Sequence, residues 1–168
     1  VPISLNVSRV DILACDVAEH MGALAAQYNL PPELMRIEIT ETAYTGESEA
    51  VDKLTADLHT RGFSTYMDDF GTGQSTLAML KNVNVDVIKL DRTFVSIDGD
   101  HGRSTQIISS MLEMAHSLHL PVVVEGVETN EQANVLRQMG ARDAQGFLYY
   151  RPMPAKDFEA LLDGGNNN

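Results

Sequence analysis

The sequence has no tryptophan and a single cysteine, and its acidic residues outnumber its basic ones by 24 to 12. Each shortage excludes something. One cysteine, Cys15, cannot close an internal disulfide, which fits a reducing compartment. Its place in an apolar helical stretch makes it a core residue by expectation. A formal net charge of −12 repels a phosphate backbone and argues against general binding of a DNA or RNA polymer. No apolar run approaches the roughly 20 residues that span a bilayer. The start, Val1-Pro2-Ile3-Ser4-Leu5, has no basic segment and no initiator methionine. The expectation is a cytoplasmic domain cut out of something longer, its parent open to membrane attachment. An acidic domain that handles an anionic substrate must recruit something cationic, and metal ions would serve.

What is present is enough for one domain with a real core, 168 residues of which 43% are hydrophobic. Six β-branched runs stand out: Ile3–Val7, Arg36–Thr40, Ser64–Met67, Val85–Leu90, Pro121–Val124 and Asp143–Phe147. Helical periodicity fills the gaps. It predicts helices over about 11–28, with Ile12, Leu13, Val17, Met21 and Leu24 as the stripe, and over 48–60, ended by Gly62. A short helix follows at 75–80 and a longer one at 104–118. Thr129-Asn130-Glu131-Gln132 is a capping-box pattern that opens a helix ending at Gly140. A last helix starts near Pro154. Strand and helix in alternation mean parallel strands with right-handed crossovers, an α/β fold. The domain is expected over 1–163, with 164–168 a frayed or vector-derived tail.

The strand runs are apolar, yet most end in a functional-group residue. The first delivers Asn6; the second carries Glu38, with Glu41 just beyond. The third ends in Asp68-Asp69 and the fourth in Lys89-Leu90-Asp91. The fifth ends in Glu125, with Glu128 one turn later, and the sixth carries Gln145-Gly146. Active sites of parallel α/β folds sit at the C-terminal strand ends. Glu38 lies between Ile37 and Ile39, so its side chain points opposite to both, toward a barrel interior. A carboxylate there must be paired or metal-bound. Taken alone, each residue has an ordinary reading as a cap, a turn residue or a structural ion pair; together they favour a site. Oxygen donors without His or Cys are hard ligands, suited to Mg2+, Mn2+ or Ca2+. The five histidines, His20, His59, His101, His116 and His119, show no metalloprotease spacing and read as surface or half-buried residues. Gly71-Thr72-Gly73 allows a sharp turn and close backbone approach, but no dinucleotide or phosphate-loop fingerprint surrounds it.

These residues also resemble a known family. Leu5-Asn6-Val7-Ser8, Ile37-Glu38-Ile39-Thr40-Glu41, Met67-Asp68-Asp69-Phe70-Gly71-Thr72-Gly73, Val87-Ile88-Lys89-Leu90-Asp91, Val124-Glu125-Gly126-Val127-Glu128-Thr129 and Gln145-Gly146-Phe147 with Arg151-Pro152-Met153-Pro154 match, in order, the EAL domain of bacterial cyclic di-GMP phosphodiesterases. The resemblance implies a TIM-type (β/α) barrel and a two-metal site using Mg2+ or Mn2+. By its motifs, Asn6, Glu38, Asp68 and Asp69 are metal ligands, and Lys89 and Asp91 place the attacking water. Glu125 coordinates or deprotonates that water, Glu41 anchors the loop bearing the Asp pair, and Glu128 and Gln145 support the site or touch substrate. The expected reaction opens cyclic di-GMP to linear pGpG. Strict alternation sends Asp68 and Asp69 to different sides, so that one dipeptide serves two metal positions.

The family takes its name from a Glu-Ala-Leu motif early in the domain, whose Glu is a metal ligand. Here the first match begins at residue 5, so that motif and two of eight strands are expected outside this chain. The literal Glu159-Ala160-Leu161 lies in an amphipathic helix and is read as helix surface and core. Gln74, where the family usually has an aromatic, and Val124, usually a small residue, are lesser departures. The alternative function is a non-catalytic cyclic di-GMP binding module. Fusion to sensory or diguanylate-cyclase domains is expected, and a homodimer is one way to cover exposed strand edges.

Overall fold

The computed structural model describes residues 1–46, 48–72, 84–95 and 101–165. The helix expected at 75–80 and the departure at Gln74 lie outside those residues. Six parallel strands form one sheet in sequential order. They are β1 (Ile3–Val7), β2 (Met35–Thr40), β3 (Ser64–Phe70), β4 (Val87–Leu90), β5 (Val122–Val124) and β6 (Asp143–Ala144). Helices α1 (Arg9–Ala14), α2 (Val17–Tyr28), α3 (Glu41–Gly46), α4 (Ser48–Thr60), α5 (His101–Ser117), α6 (Asn130–Gln138) and α7 (Ala155–Gly165) alternate with them. This is the α/β, TIM-type arrangement that strand–helix alternation dictates. Among the described residues β1 and β6 are the two edges of this sheet.

The strands' two faces divide by polarity. Ile37, Ile39, Met67, Ile88, Leu90 and Val124 are fully buried against Val51, Leu54 and Leu58 of α4, Ile108 and Leu112 of α5 and Leu136 of α6. Burying a side chain of that size stabilises the fold by roughly 1.5–3 kcal/mol. This apolar seam holds the sheet rigid. The opposite face carries Glu38, Tyr66, Asp68 and Lys89. At its N-terminal end that face opens into a cavity of about 840 Å3, where Arg36, Tyr66, Asp143 and Arg151 are among the lining residues. The Arg36 guanidinium lies over the Tyr66 ring, 5.3 Å from its centre. Among the described residues no helix is long and apolar enough to cross a membrane.

Several local expectations are corrected. The helix expected over 11–28 is two helices, because Ser8 and Asp16 each cap a separate start. Ser8 and Asp11 form a capping box, and Asp16 accepts from the Glu19 N–H at 2.9 Å. The break between them leaves Cys15 exposed, not in the core. α5 begins at His101, three residues earlier than its periodicity suggests. β4 and β6 are shorter than the apolar runs, and β3 runs on through Phe70. The capping box at Thr129 and Gln132 forms as expected, and so does the stop at Gly62, whose φ is +85°.

Candidate metal centre

Lys89 of β4 is the organising residue of the C-terminal strand ends. It is 4% exposed, the only buried cation among the described residues. Its Nζ lies 2.7 Å from Glu38 Oε2, 2.8 Å from Glu125 Oε1 and 2.9 Å from Asp68 Oδ1. Those three acids come from β2, from just beyond β5 and from β3, so one ammonium gathers three neighbouring strands. An ammonium has three protons, and each faces one carboxylate. Burial pulls the Lys89 pKa down, but hydrogen bonds to Glu125, Glu38 and Asp68 outweigh it and the net shift is upward. The lysine stays charged.

The acids exceed what one lysine can balance. Asp68, Asp69 and Glu125 each present a carboxylate oxygen, all within 4.8 Å of one another. Strict alternation would send Asp68 and Asp69 to opposite sides of the sheet. The structure overrides it: the β3–β4 register shifts between Met67 and Phe70, and Asp69 takes a φ of +56°. A left-handed conformation is uncommon for a residue with a Cβ and marks a functional or strained position. The bulge turns both carboxylates into one cluster, which corrects the expectation of different sides. Burial raises the pKa of Asp69, and the neighbouring charges of Asp68 and Asp91 raise it further. Burial raises that of Glu125 as well, against the pull of Lys89. Both shifts come chiefly from burial, with the neighbouring carboxylates adding to it.

The remaining sequence-nominated residues stand around this core. Glu41, 1% exposed at the start of α3, accepts from the Gly71 N–H at 2.8 Å and ties the turn after the Asp pair to β2. Asn6 is in register with Glu38 on the adjacent strand, so the two face the same side, though Asn6 is exposed. β4 ends before Asp91, which caps a 3-10 turn at Arg92–Phe94, accepting from the Thr93 N–H at 2.9 Å. Burial raises the Asp91 pKa, but hydrogen bonds from the Thr93 side chain and from the Thr93 and Arg92 backbone outweigh it, and the net shift is downward. Glu128 and Gln145 are exposed; the Gln145 backbone extends the β5–β6 pairing through Val124 and Val127. Gln145 is thus fixed through its main chain, apart from the acid cluster. Glu159 and Ala160 lie exposed on α7, where Leu161 lines the cavity.

The sequence reading passed over how tightly these loops pack. A Cβ on Gly126 would sit 2.2 Å from Arg92 Cβ, and one on Gly146 would sit 2.1 Å from the Val127 carbonyl oxygen. Only glycine fits at either place. Glycines directly after the strand-end polar residues Glu125 and Gln145 were the available signal, since they mark close backbone approach.

The donor set fits a divalent cation. It offers carboxylate oxygens only, and more negative charge than the single Lys89 ammonium can neutralise. These are the features of a site for a hard divalent cation.

The fold and this strand-end site define the class. The EAL domain family profile matches residues 1–152, and the chain belongs to that family. Cyclic di-GMP phosphodiesterase RocR of Pseudomonas aeruginosa is 38% identical over 165 residues, which are 97% of this chain and 42% of RocR. The EAL domain of Mycobacterium smegmatis DcpA superposes with a TM-score of 0.90 at 33% identity, covering 98% of this chain and 74% of that one. The manganese and cyclic di-GMP complex of Klebsiella pneumoniae BlrP1 matches with a TM-score of 0.80 at 30% identity, over 88% of this chain and 38% of BlrP1. The chain spans 20% to 42% of the length of the first curated relatives it matches.

Proposed function

We propose that this chain is the greater part of a metal-dependent phosphodiesterase domain, residues 1–163, that hydrolyses cyclic di-GMP to linear pGpG. The observation that carries the reading is the cluster of Glu38, Asp68, Asp69 and Glu125 around Lys89, at the strand ends of an EAL family member. Glu38, Asp68 and Asp69, with Asn6 beside Glu38, would hold Mg2+ or Mn2+ in a two-metal site. Bound there, the cations would supply an acidified water and charge stabilisation for the phosphodiester.

The chain's own groups supply the rest. Glu125, whose pKa burial raises, would take a proton from the attacking water. Lys89 keeps a positive charge within reach of that water without occupying a metal position. Glu41 holds the Gly71 turn, and with it the bulged conformation that aims Asp69. Water adds to one phosphorus, one bond from that phosphorus to a ribose oxygen breaks, and the departing oxygen gains a proton. The ring opens and nothing is oxidised or reduced. Glu128 and Gln145, exposed at the rim, would contact substrate or support the loops that do.

The lengths of the relatives support fusion to further domains, sensory or diguanylate-cyclase in type, in a parent protein that acts on cytoplasmic cyclic di-GMP. Turnover of cyclic di-GMP by the full-length protein with Mn2+ or Mg2+, and its loss on chelation, tests the reading. Binding without turnover in either metal would move the protein to the alternative, a cyclic di-GMP receptor.

A further inference from the structure

Gln132, in the first turn of α6, makes more contacts than its cap requires. Its Oε1 accepts from the Glu128 N–H at 2.7 Å and the Thr129 N–H at 2.9 Å. Its Nε2 donates to the Val95 carbonyl at 3.2 Å, across 37 residues. The amide has one orientation that satisfies all three partners, since the reverse would set donors against N–H groups and an acceptor against a carbonyl. Val95 closes the 3-10 turn that starts at Asp91, and Glu128 closes the loop that starts at Glu125. One side chain therefore joins the loops leaving β4 and β5, the strands that deliver Lys89 and Glu125. The Gly126–Arg92 approach shows that the two loops are in full contact at the same junction.

A capping box is served equally by Glu or Gln at this position. Only Gln can donate to Val95. We propose that Gln132 is a positioning residue that locks the β4 and β5 loops together and so fixes Asp91 and Glu125 relative to each other. The idea rests on the phosphodiesterase reading, and it requires the link, not the cap, to be what the site needs.

Two variants of the full-length protein separate the possibilities. Gln132→Glu keeps the acceptor for the cap, loses the donor to Val95 and adds a charge. Gln132→Met loses both cap and link and adds none. Both are expected to lower kcat and to weaken Mn2+ binding, measured by titration calorimetry, by about tenfold or more. Thermal stability should fall in both, since the Val95 carbonyl loses its donor in each, while only Gln132→Met also loses the cap. Wild-type kcat and Mn2+ affinity in either variant would overturn the proposal, because the link is absent from both. If the wild type itself turns over no cyclic di-GMP, the functional reading fails, and the Mn2+ affinities still decide the positioning role.

Discussion

β3 and β4 carry a polar cluster at each end, one around a single carboxylate and one around several, and the two are built on opposite plans. At the N-terminal end, Asp86 Oδ2 accepts from the Thr65 N–H at 2.7 Å, and His59 Nε2 lies 3.0 Å away. The Thr65 hydroxyl, itself fully buried, donates to the same oxygen at 3.3 Å, and Asn84 Nδ2 approaches His59 Nδ1 at 3.4 Å. One carboxylate there meets several protein donors. At the C-terminal end, Glu38, Asp68 and Glu125 share one ammonium, with Asp69 beside them, so the carboxylates outnumber the cation. A saturated cluster serves the fold, stapling α4 to the start of β3 and β4. An unsaturated one has capacity for something the chain does not supply, and it keeps that capacity at a cost in stability.

The sharpest way to break this contrast is to remove one acid from each end. Asp68→Asn is expected to cost about 100-fold or more in turnover of cyclic di-GMP by the full-length protein, with little change in melting temperature. Near-wild-type turnover would refute the assignment of Asp68 as a ligand. Asp86→Ala should do the reverse. It strands the buried Thr65 donors and should destabilise the fold by about 2 kcal/mol in denaturant titration, leaving kcat intact. A loss of kcat matching that of Asp68→Asn would erase the distinction between the ends.

Acidity sharpens the contrast further. Asp69 and Glu125 have raised pKa values, chiefly from burial. A raised folded-state pKa contributes stability below the unfolded value, and that contribution is lost as pH rises through the folded value. Protonation of these two acids should therefore add stability to the metal-free protein as the pH is lowered into the carboxylate range. Mn2+ binding should weaken over the same interval, because protons compete for the same oxygens. Melting curves against pH with chelator and with Mn2+ check both signs. Parallel curves would mean that no cation uses these acids.

The smallest effect concerns a buried group away from both ends. The Tyr44 hydroxyl in α3 is buried without a hydrogen-bond partner among the described residues, and burial pushes its pKa up. Nothing assigns it chemistry. Tyr44→Phe is expected to leave turnover unchanged and to raise stability by about 1 kcal/mol, read from the denaturation midpoint. Destabilisation would show that the hydroxyl has a partner after all.

Much of this was legible from residue order. A carboxylate between two isoleucines must face away from both, and the structure buries Ile37 and Ile39 on one face and Glu38, beside Lys89, on the other. The Thr129–Gln132 cap was equally readable, since a capping box is local chemistry. What resisted reading was non-local or depended on one torsion. Nothing in the sequence shows that Asp69 adopts a positive φ, because the bulge is set by how β3 pairs with β4. The split of the first helix turned on Asp16 choosing to cap a new start, and exposure of Cys15 followed from that choice. The second role of Gln132 is invisible without Val95 beside it.

The sequence by itself determined the alternation of strands and helices, the burial of one strand face, and the delivery of acids to the C-terminal ends. Each follows from a period of 2 or 3.6 residues and from the cost of burying charge. Only the tertiary structure decided which acids meet. Three strands converge on the Lys89 ammonium because parallel neighbours lie within reach of one long side chain, while a bulge turns Asp69 to the side of Asp68. Distances between side chains of different strands are properties of packing, and no local pattern encodes them.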